Sequence, residues 1–463
     1  MPRYDVAIIG GGPGGYVAAI RAAQLGLSVA LVERDRVGGL CLNWGCIPSK
    51  ALLYSAELFH LLRRSQEFGI ACDNLRFDLG QAVDRSRQVV DRLVRGVELL
   101  LSKNGVIVLK GTGRLQGRHE IAVEPGGQTT EADSILLATG GLPRTLPGVG
   151  IDGQTVIASR EALELRQPPA SIAIVGGGPI GVEFAYLYRS CGCEVTIIEM
   201  LKHLLPQEDE EISQQIERAL KQQGIRILTS GRVEEISHQQ GGARVAVTVD
   251  GRAEEVRAEK VLIGIGFAAN SEGLGLEENG VVLEKGFVRV DDHMRTSVEG
   301  VYAIGDLTGK LMLAHVASAQ GVAAVEHIAG LETPQLDYEK MPRCTYCQPQ
   351  VASWGLTEAQ AQERRGQVKV GRFPFRANGR ALAMGSTDGM VKLVVDAEEG
   401  DILGYHIIGP EAAELIAEAS LGGTLEAAPT DLAWAVHAHP TLSEAMKEAA
   451  LDADGRAVHF WRG

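Results

Sequence analysis

Short apolar runs alternate with helical patterns along the first two thirds of the chain. Residues 6–9 read VAII and residues 172–175 read IAIV, which is typical of strands buried on both faces of a parallel sheet. A glycine-rich turn, a helical pattern and a second apolar strand follow each run. The predicted helices and second strands are Tyr16–Leu25 with Ser28–Val32, and Val182–Ser190 with Glu194–Ile198. This alternation predicts two βαβ units and an α/β fold.

Both units carry the same glycine spacing at the turn after the first strand. The motif G-x-G-x-x-G occupies Gly10, Gly12 and Gly15, and it recurs 166 residues later at Gly176, Gly178 and Gly181. In a dinucleotide-binding turn these glycines make the bend, let a pyrophosphate approach and let the helix pack on the strand. An acid follows each second strand, Glu33 and Glu199, where it can bind a ribose hydroxyl. The repeat therefore predicts two bound dinucleotides.

The pattern changes from about Pro342 onward, where several strands precede two helices. The predicted elements are strands Gln367–Phe375, Met390–Asp396 and Ile402–Ile408 and helices Ala412–Ser420 and Ser443–Ala450. Such a run predicts a separate α+β domain. We expect four segments, with Rossmann-like units in the first two: 1–147, 148–270, 271–340 and 341–463.

The overall charge and hydropathy exclude two classes of partner. The chain has 45 basic and 59 acidic residues, a formal net charge of −14, so its field repels the phosphates of nucleic acids. No stretch approaches the roughly 18–20 uncharged apolar residues that a membrane helix needs. The N-terminus shows no signal-peptide pattern. We therefore expect a cytoplasmic protein that binds neither nucleic acid nor membrane.

Two of the seven cysteines lie close together, Cys41 and Cys46. An odd number of scattered cysteines is not a secreted disulfide framework. Gly45 permits a tight bend between the two thiols, and Pro48 suits the first turn of a helix. Cys46 would then lie near a helix N-terminus, which lowers a thiol pKa, and Lys50 adds positive charge one turn later. The pattern favours an exchanging disulfide, with two buried free thiols as the alternative.

The run Cys41–Lys50 resembles the active-site segment of the pyridine nucleotide–disulfide oxidoreductases, and the resemblance extends over essentially the whole chain. It implies FAD at the first glycine turn and a nicotinamide nucleotide at the second. Segment 271–340 would complete the FAD-binding domain, and 341–463 would be an interface domain of a homodimer. The implied FAD contacts are the first-turn glycines with Glu33, Lys50, Gly113, Asp306 and Ala314. The implied NAD-side residues are the second-turn glycines with Glu183, Glu199, Val233 and Gly266, Glu183 also pairing with Lys50.

The same resemblance assigns the catalytic residues. Cys46 would be the thiol beside the flavin and Cys41 the thiol that exchanges with the substrate. His439 would be the base, for which the near-neutral pKa of histidine is suited. Glu444 would orient the imidazole, although Thr441 and Glu444 also fit a capping box in which Thr441 is the N-cap. In the family this base acts on the thiols of the other subunit, which implies a homodimer.

The expected activity is the oxidation of protein-bound dihydrolipoyl groups through Cys41, Cys46 and FAD, with NAD as acceptor. The expected partners are lipoyl domains of 2-oxo acid dehydrogenase or glycine-cleavage complexes. NAD is favoured over NADP because Glu199 repels a 2′-phosphate and no arginine follows it. The alternatives are another disulfide reductase of the family or a mainly structural subunit of a lipoyl-dependent assembly.

Three features depart from the expected pattern or remain open. Leu40 precedes Cys41 where the family usually has threonine, and Trp44 occupies a variable position between the thiols. The run Phe267–Ala269 lacks the arginine and proline that are common in the family. Cys344 and Cys347 form a C-x-x-C, for which a second redox or metal site is the less favoured interpretation.

Overall fold

The computed structural model describes residues 2–461, so the outermost ends of the expected segments, residues 1 and 462–463, lie outside it. The first unit contains β1 Arg3–Ile9, α1 Pro13–Gln24, β2 Val29–Glu33, α2 Gly39–Trp44, α3 Cys46–Arg63, α4 Leu79–Lys103, β3 Ile107–Lys110, β4 Thr112–Gly117, β5 Glu120–Glu124, β6 Gln128–Leu137 and β7 Gly141–Pro143. The sequence pattern missed the short helix α2, because six residues carry no helical periodicity.

The second unit repeats the architecture of the first. It contains β8 Val156–Ile157, α5 Ser159–Glu164, β9 Ser171–Val175, α6 Pro179–Ser190, β10 Glu194–Ile198, α7 Glu210–Gln222, β11 Arg226–Leu228, β12 Gly231–Gln239, β13 Gly242–Val249, β14 Arg252–Ala258, β15 Lys260–Ile263 and β16 Phe267–Ala269. The strand order β11-β10-β9-β15-β8 is parallel throughout, and β12-β13-β14 form an antiparallel sheet beside it.

The chain then returns to the first unit and continues into the third domain. The returning segment contains β17 Leu283–Glu284, β18 Phe287–Val288, β19 Val301–Ala303 and α8 Ala314–Ile328. The third domain contains β20 Arg343–Thr345, β21 Gln350–Gly355, α9 Glu358–Arg365, β22 Val368–Pro374, α10 Gly379–Met384, β23 Met390–Asp396, β24 Ile402–Gly409, α11 Ala412–Thr424, α12 Pro429–Trp434 and α13 Glu444–Ala453. The expected fold class, two Rossmann-like units and a C-terminal α+β domain, is confirmed.

The first sheet is parallel at its centre because its strands are apolar on both faces. Its order is β3-β2-β1-β6-β5-β4, and β19 pairs with β6, so the returning segment completes the sheet of the first unit. Val6, Ala7 and Ile8 of β1 are fully buried. Such strands can lie only between two covering layers. Helix α1 covers one face with small residues, Ala18 and Ala19, which pack in the same core as β1.

Two short segments carry the chain out of the first unit and back into it. β7 and β16 pair in antiparallel fashion, with Leu142 opposite Ala268. Next to them the Thr139 hydroxyl donates to the Asn270 carbonyl oxygen at 2.8 Å, and the Asn270 amide donates back to the Thr139 carbonyl oxygen at 3.1 Å. These hydrogen bonds join the segment through which the chain leaves the first unit to the segment through which it returns.

A row of polar side chains crosses the entire sheet of the third domain. The strand order is β20-β21-β24-β23-β22, and one residue of each strand stands directly opposite the next. The row is Arg343, Ser353, His406, Lys392 and Arg372. Directly opposite residues share one face of a sheet, so these side chains form a continuous polar band. Ser353 and His406 are fully buried, and Lys392 is 2% exposed.

An acidic turn of the second unit lies on this polar band. The Lys392 ammonium contacts carboxylate oxygens of Asp209 at 2.7 Å, Glu211 at 3.3 Å and Glu358 at 2.8 Å. Glu211 and Glu358 also pair with Arg372 at 2.9 and 3.1 Å. Bridging carboxylates offset the repulsion that two neighbouring cations would otherwise feel. Asp209 and Glu211 belong to the second unit, so the network joins that unit to the third domain.

Removing the central cation of this network should destabilise the protein. We expect Lys392→Ala to lower the free energy of unfolding by about 3–5 kcal/mol, because three carboxylates would lose their common buried partner. Lys369→Ala is the matched control, since Lys369 is an exposed lysine of the same sheet and should change stability by less than about 0.5 kcal/mol. Chemical denaturation of the three proteins measures the difference. Equal stability of Lys392→Ala and Lys369→Ala would contradict the importance of the network.

Candidate active site

The two glycine turns are nearly identical in conformation. Gly10 and Gly176 have φ values of 104° and 111°, a left-handed region that favours glycine. A Cβ on Gly15 would lie 1.8 Å from the Gly10 carbonyl oxygen, and one on Gly181 would lie 1.9 Å from that of Gly176. The third glycine therefore lets each helix pack against its strand, as the motif predicts. Gly12 and Gly178 are the N-caps of α1 and α6, and neither helix start has a side-chain cap.

The acid at the end of each second strand braces its glycine turn. Glu33 accepts hydrogen bonds from the Gly11 N–H at 2.7 Å and the Asp35 N–H at 2.8 Å. Glu199 accepts from the Gly177 N–H at 2.6 Å and the Leu201 N–H at 2.7 Å. Each carboxylate oxygen keeps a further lone pair for a ribose hydroxyl. The sequence analysis did not predict this bracing role. The signal that could have indicated it is that the acids repeat with the same 166-residue offset as the glycine turns.

A cavity of about 550 Å³ runs from the first glycine turn to the thiols. The residues predicted for FAD and for the thiol pair that line it are Gly10, Gly12, Glu33, Cys41, Cys46, Lys50, Gly113, Asp306 and Ala314. Glu183, predicted for the NAD side, also lines it. The structure therefore brings together residues that are as far apart in sequence as Gly10 and Ala314.

The polar groups of this cavity fit an FAD molecule. Burial raises the pKa of Asp306, and within residues 2–461 its carboxylate has no hydrogen-bond or ionic partner. A carboxylate in that position calls for a hydroxyl donor from a ligand, such as the ribityl chain of FAD. Helix α8 begins at Ala314 without a side-chain cap, so its free N–H groups are directed at the same cavity. Glu33 and the α1 N-terminus complete the cradle.

The thiols lie at the junction of two helices. Cys41 is on α2, and Cys46 is the first residue of α3, as predicted for a thiol at a helix N-terminus. In this structure both side chains are free thiols. A hydrogen bond between them raises the pKa of Cys41 and lowers the pKa of Cys46. The positive charge of Lys50 further lowers the pKa of Cys46. Of the two thiols, Cys46 is therefore the one that loses its proton more easily.

All three domains meet at a charged pair next to Cys46. The Lys50 ammonium donates to both carboxylate oxygens of Glu183 at 2.8 and 2.9 Å, which is the predicted pair. The Tyr346 N–H donates to Glu183 at 3.0 Å, and the Lys50 ammonium lies 4.7 Å from the centre of the Tyr346 ring. Burial raises the pKa of the Tyr346 hydroxyl to about 12, so it stays neutral. Sequence reasoning missed Tyr346, because no motif marks it.

His439 and Glu444 form the predicted contact. The distance from His439 Nδ1 to Glu444 Oε1 is 2.9 Å, and Glu444 Oε2 accepts from the Thr441 N–H at 2.9 Å. Burial opposes ionisation of Glu444, but these bonds hold its pKa below the usual value. The predicted N-cap was wrong: α13 begins at Glu444 with Ser443 before it, and the Thr441 hydroxyl donates to the Ala438 carbonyl oxygen instead. Neither His439 nor Glu444 lines the thiol cavity of its own chain.

The remaining predicted residues of the second site follow the second glycine turn. Glu199 is 8% exposed beneath that turn. The Gly231 N–H at the start of β12 donates to the Glu199 carbonyl oxygen at 2.8 Å, which places Val233 two residues further along β12. Gly266 has φ of 95° directly before β16. Val233 and Gly266 do not line the thiol cavity.

The two cysteines of the third-domain C-x-x-C pack in different cores. Cys347 is 1% exposed and donates to the Pro349 carbonyl oxygen at 3.1 Å, while Cys344 packs on a different core. Burial raises the pKa of both thiols, that of Cys344 to about 11. Within residues 2–461 no group of three potential metal-ligating side chains is present. His437, two residues before the predicted base, pairs with Glu418 at 2.8 Å.

The chain belongs to the pyridine nucleotide-disulphide oxidoreductases. The model of that family matches residues 4–321, and the model of the family's dimerisation domain matches residues 341–450. FAD and NAD, the predicted cofactors, are those of the family, and the chain is accordingly a flavin-dependent oxidoreductase. Over the part of the chain that the structure describes, no helix has the length and apolar composition of a membrane span.

Individual proteins similar to this chain give a more particular comparison. A dihydrolipoyl dehydrogenase of Mycobacterium leprae is 48% identical over 99% of this chain and 100% of that protein. A dihydrolipoyl dehydrogenase of Bacillus subtilis is 45% identical over 99% of both chains. The crystal structure of LpdA from Mycobacterium tuberculosis superimposes with a TM-score of 0.90 at 30% identity, covering 97% of this chain and 99% of that one. The disulfide reductase RclA from Escherichia coli gives 0.86 at 28% identity, covering 96% and 98%.

The pair Lys50 and Glu183 should tune the Cys46 thiol in opposite directions. In reduced protein carrying Cys41→Ser, we expect Lys50→Met to raise the pKa of Cys46 and Glu183→Gln to lower it, because the lysine stabilises the thiolate and the glutamate opposes it. The measurement is the pH dependence of alkylation at Cys46, followed by mass spectrometry. Lys103→Met, which removes an exposed lysine of α4, is the control. Shifts of the same sign for both variants would contradict this electrostatic assignment.

Proposed function

We propose that the chain oxidises protein-bound dihydrolipoyl groups to the disulfide, with FAD and NAD as electron acceptors in turn. The observation that carries the proposal is the placement of Cys41 and Cys46. One thiol has a lowered pKa at a helix N-terminus beside Lys50, and both line the cavity that begins at the first glycine turn. Full-length similarity to proteins named dihydrolipoyl dehydrogenase supports the choice of substrate.

The residues of the cavity divide the work of holding FAD. Glu33 would bind the adenosine ribose, the N-terminus of α1 would face the pyrophosphate, and Asp306 would accept from the ribityl chain. The N-terminus of α8 at Ala314 would favour negative charge on the part of the flavin near it. Bound FAD supplies the acceptor for the two electrons released at the thiols. Gly113 completes the wall of the cavity.

The thiols carry the exchange step. In the oxidised enzyme Cys41 and Cys46 are joined by a disulfide, and a dihydrolipoyl thiolate attacks the Cys41 sulfur. The Cys41–Cys46 bond breaks, a mixed disulfide forms, and Cys46 leaves as a thiolate. A leaving thiol of low pKa departs faster, which is why the helix N-terminus and Lys50 belong beside Cys46 rather than Cys41. The second dihydrolipoyl thiol then displaces Cys41, so the substrate leaves as a disulfide and the enzyme keeps two electrons.

His439 takes the proton that the dithiol releases. Its Nδ1 is engaged by Glu444, so Nε2 is left to accept a proton, and the side chain is 78% exposed on the surface of the third domain. Glu444 favours the tautomer with a proton on Nδ1 and stabilises the imidazolium that forms. The imidazole would act on the thiol pair of a second copy of this chain. The match to a dimerisation domain supports that arrangement.

The exposed apolar side chains near His439 also support a homodimer. Trp434 is 80% exposed, Val436 is 95% exposed and Leu425 is 70% exposed in the single chain. A cluster of large exposed apolar residues marks a surface that another chain covers. These residues precede His439 in the chain, so one contact with a second copy would bury them and bring His439 to the neighbouring thiols.

The second site would take NAD. Glu199 would bind the 2′-hydroxyl of the adenosine ribose, the α6 N-terminus would face the pyrophosphate, and Glu183 would lie near the nicotinamide side of the cavity. Val233 and Gly266 would contribute to the walls of this second site. Lipoyl domains of 2-oxo acid dehydrogenase or glycine-cleavage complexes, in the cytoplasm, are the proposed partners. Another disulfide substrate, or a mainly structural role, is the alternative that direct assay decides.

Replacing His439 should separate the two halves of the reaction. We expect His439→Gln to lower kcat/KM for dihydrolipoamide by about 10²- to 10⁴-fold, because the dithiol loses its proton acceptor. NADH-dependent reduction of ferricyanide does not need that proton transfer and should be retained. His437→Gln is the matched control, since His437 pairs with Glu418 instead of Glu444. A comparable loss in both dihydrolipoamide and ferricyanide assays would argue against His439 as the base.

Glu199 should decide between the two nicotinamide nucleotides. We expect the wild-type protein to use NAD with a kcat/KM at least about 100-fold above that for NADP, a preference of about 2.7 kcal/mol. Glu199→Gln should reduce this ratio, because the repulsion between the carboxylate and a 2′-phosphate is removed while a hydrogen-bonding group remains. Steady-state rates with both nucleotides measure the ratio. An unchanged ratio would mean that another residue excludes NADP.

A further inference from the structure

Trp44 closes the short helix that carries Cys41. It is the last residue of α2, three positions after Cys41 and therefore about one turn further along the same helix. Gly45 alone separates α2 from α3, and Cys46 opens α3. The direction of α2 relative to α3 consequently determines how closely the two sulfur atoms approach each other. Whatever holds Trp44 also holds Cys41 against Cys46.

Two guanidinium groups hold the indole of Trp44. The Arg160 guanidinium lies 4.0 Å from the centre of the ring, and the Arg87 guanidinium lies 5.1 Å from it. Arg87 belongs to α4 of the first unit and Arg160 to α5 of the second. Cations at these distances are attracted to the face of an indole. The end of α2 is thus fixed from two separate elements.

The charge of Arg87 is buried beside the indole, with the carboxylates of Glu164 and Asp91 acting on it as well. Its Nη1 donates to the Asn43 carbonyl oxygen at 2.8 Å, directly before Trp44. Its Nε and Nη2 atoms are buried and have no hydrogen-bond partner among residues 2–461. Burial lowers the pKa of Arg87 as a result. A buried cation requires compensation, and the π face of Trp44 is positioned to supply it.

We propose that Trp44, clamped by Arg87 and Arg160, is a positioning residue that favours the disulfide form of Cys41 and Cys46. The inference rests on the proposed redox function of these thiols. A disulfide forms only when the two cysteines keep a narrow geometry. Holding α2 in place raises the effective concentration of one thiol at the other and shifts the exchange equilibrium toward the disulfide. Without the clamp α2 would sample other directions, and reduction would become easier.

The equilibrium can be measured directly against dithiothreitol. One molecule of dithiothreitol reduces the Cys41–Cys46 disulfide to two thiols and is itself oxidised to its cyclic disulfide, so two electrons are transferred. The full-length protein is equilibrated without oxygen at several ratios of reduced to oxidised dithiothreitol and then alkylated. Mass spectrometry gives the oxidised fraction of the Cys41–Cys46 peptide, and absorbance of the same samples follows the flavin separately.

Trp44→Ala should be reduced about tenfold more readily than the wild type, which corresponds to a potential about 30 mV higher. Arg160→Gln should shift the equilibrium in the same direction by about two- to fivefold, because one cation of the clamp is lost. Trp44→Phe should lie closer to the wild type, because it keeps an aromatic face. Arg166→Gln is the matched control, since Arg166 is an exposed arginine that pairs with Asp84, and it should cause no shift.

The outcomes distinguish the clamp from the function on which it rests. If the wild type forms the disulfide but Trp44→Ala and Arg160→Gln change the equilibrium by less than twofold, or make reduction harder, the clamp is wrong and the proposed function stands. If the wild type forms no Cys41–Cys46 disulfide, both are wrong. If Trp44→Ala does not fold, Arg160→Gln decides alone, because Arg160 is exposed on α5 and its loss leaves the core intact.

Discussion

The ion pair between Lys50 and Glu183 is the point at which the three domains depend on one another. Lys50 comes from α3 of the first unit, Glu183 from α6 of the second, and the Tyr346 N–H from the third domain binds the same carboxylate. The Glu183 side chain is 9% exposed, so its charge is costly without these partners. Separating the first two units would remove the cation that pairs with Glu183, and removing the third domain would take away one hydrogen bond to the same carboxylate. The same ion pair therefore links the domains and acts on the pKa of Cys46.

A second buried network reinforces the same arrangement at the far side of the second unit. Lys392 of the third domain is surrounded by Asp209, Glu211 and Glu358, and His406 beside it is fully buried. Burial lowers the pKa of His406 to about 4, so this histidine adds no positive charge to the band at neutral pH. Two separate ionic contacts define an orientation better than one, because a rotation about the first breaks the second. The third domain thus helps to fix the orientation of the nucleotide-binding units.

The sequence predicted those parts of the site that depend on local spacing. The glycine turns, Glu33, Glu199 and the helix start at Cys46 follow from residues that are close in the chain and constrained by backbone geometry. The polar row from Arg343 to Arg372 could not be predicted, because it depends on the register of five strands that lie far apart in sequence. Tyr346 was missed because it acts through its backbone N–H, which any residue provides. Glu444 does accept from the Thr441 N–H, as a capping box requires, but α13 begins at Glu444, so this glutamate is the first helical residue and not the third, and Thr441 is not the N-cap.

The asymmetry between the two thiols follows from where each lies on its helix. Cys46 has a helix N-terminus and Lys50 in its favour, whereas Cys41 lies in the middle of α2 and donates its proton toward its neighbour. In a disulfide this difference is hidden, since neither sulfur carries charge. It is expressed when the bond opens, because the electron pair then remains on the sulfur that best stabilises it. The proposed attack at Cys41 and release at Cys46 would therefore be two consequences of one arrangement, in which α2 carries the sulfur proposed to meet the substrate and α3 the sulfur proposed to face the cofactor.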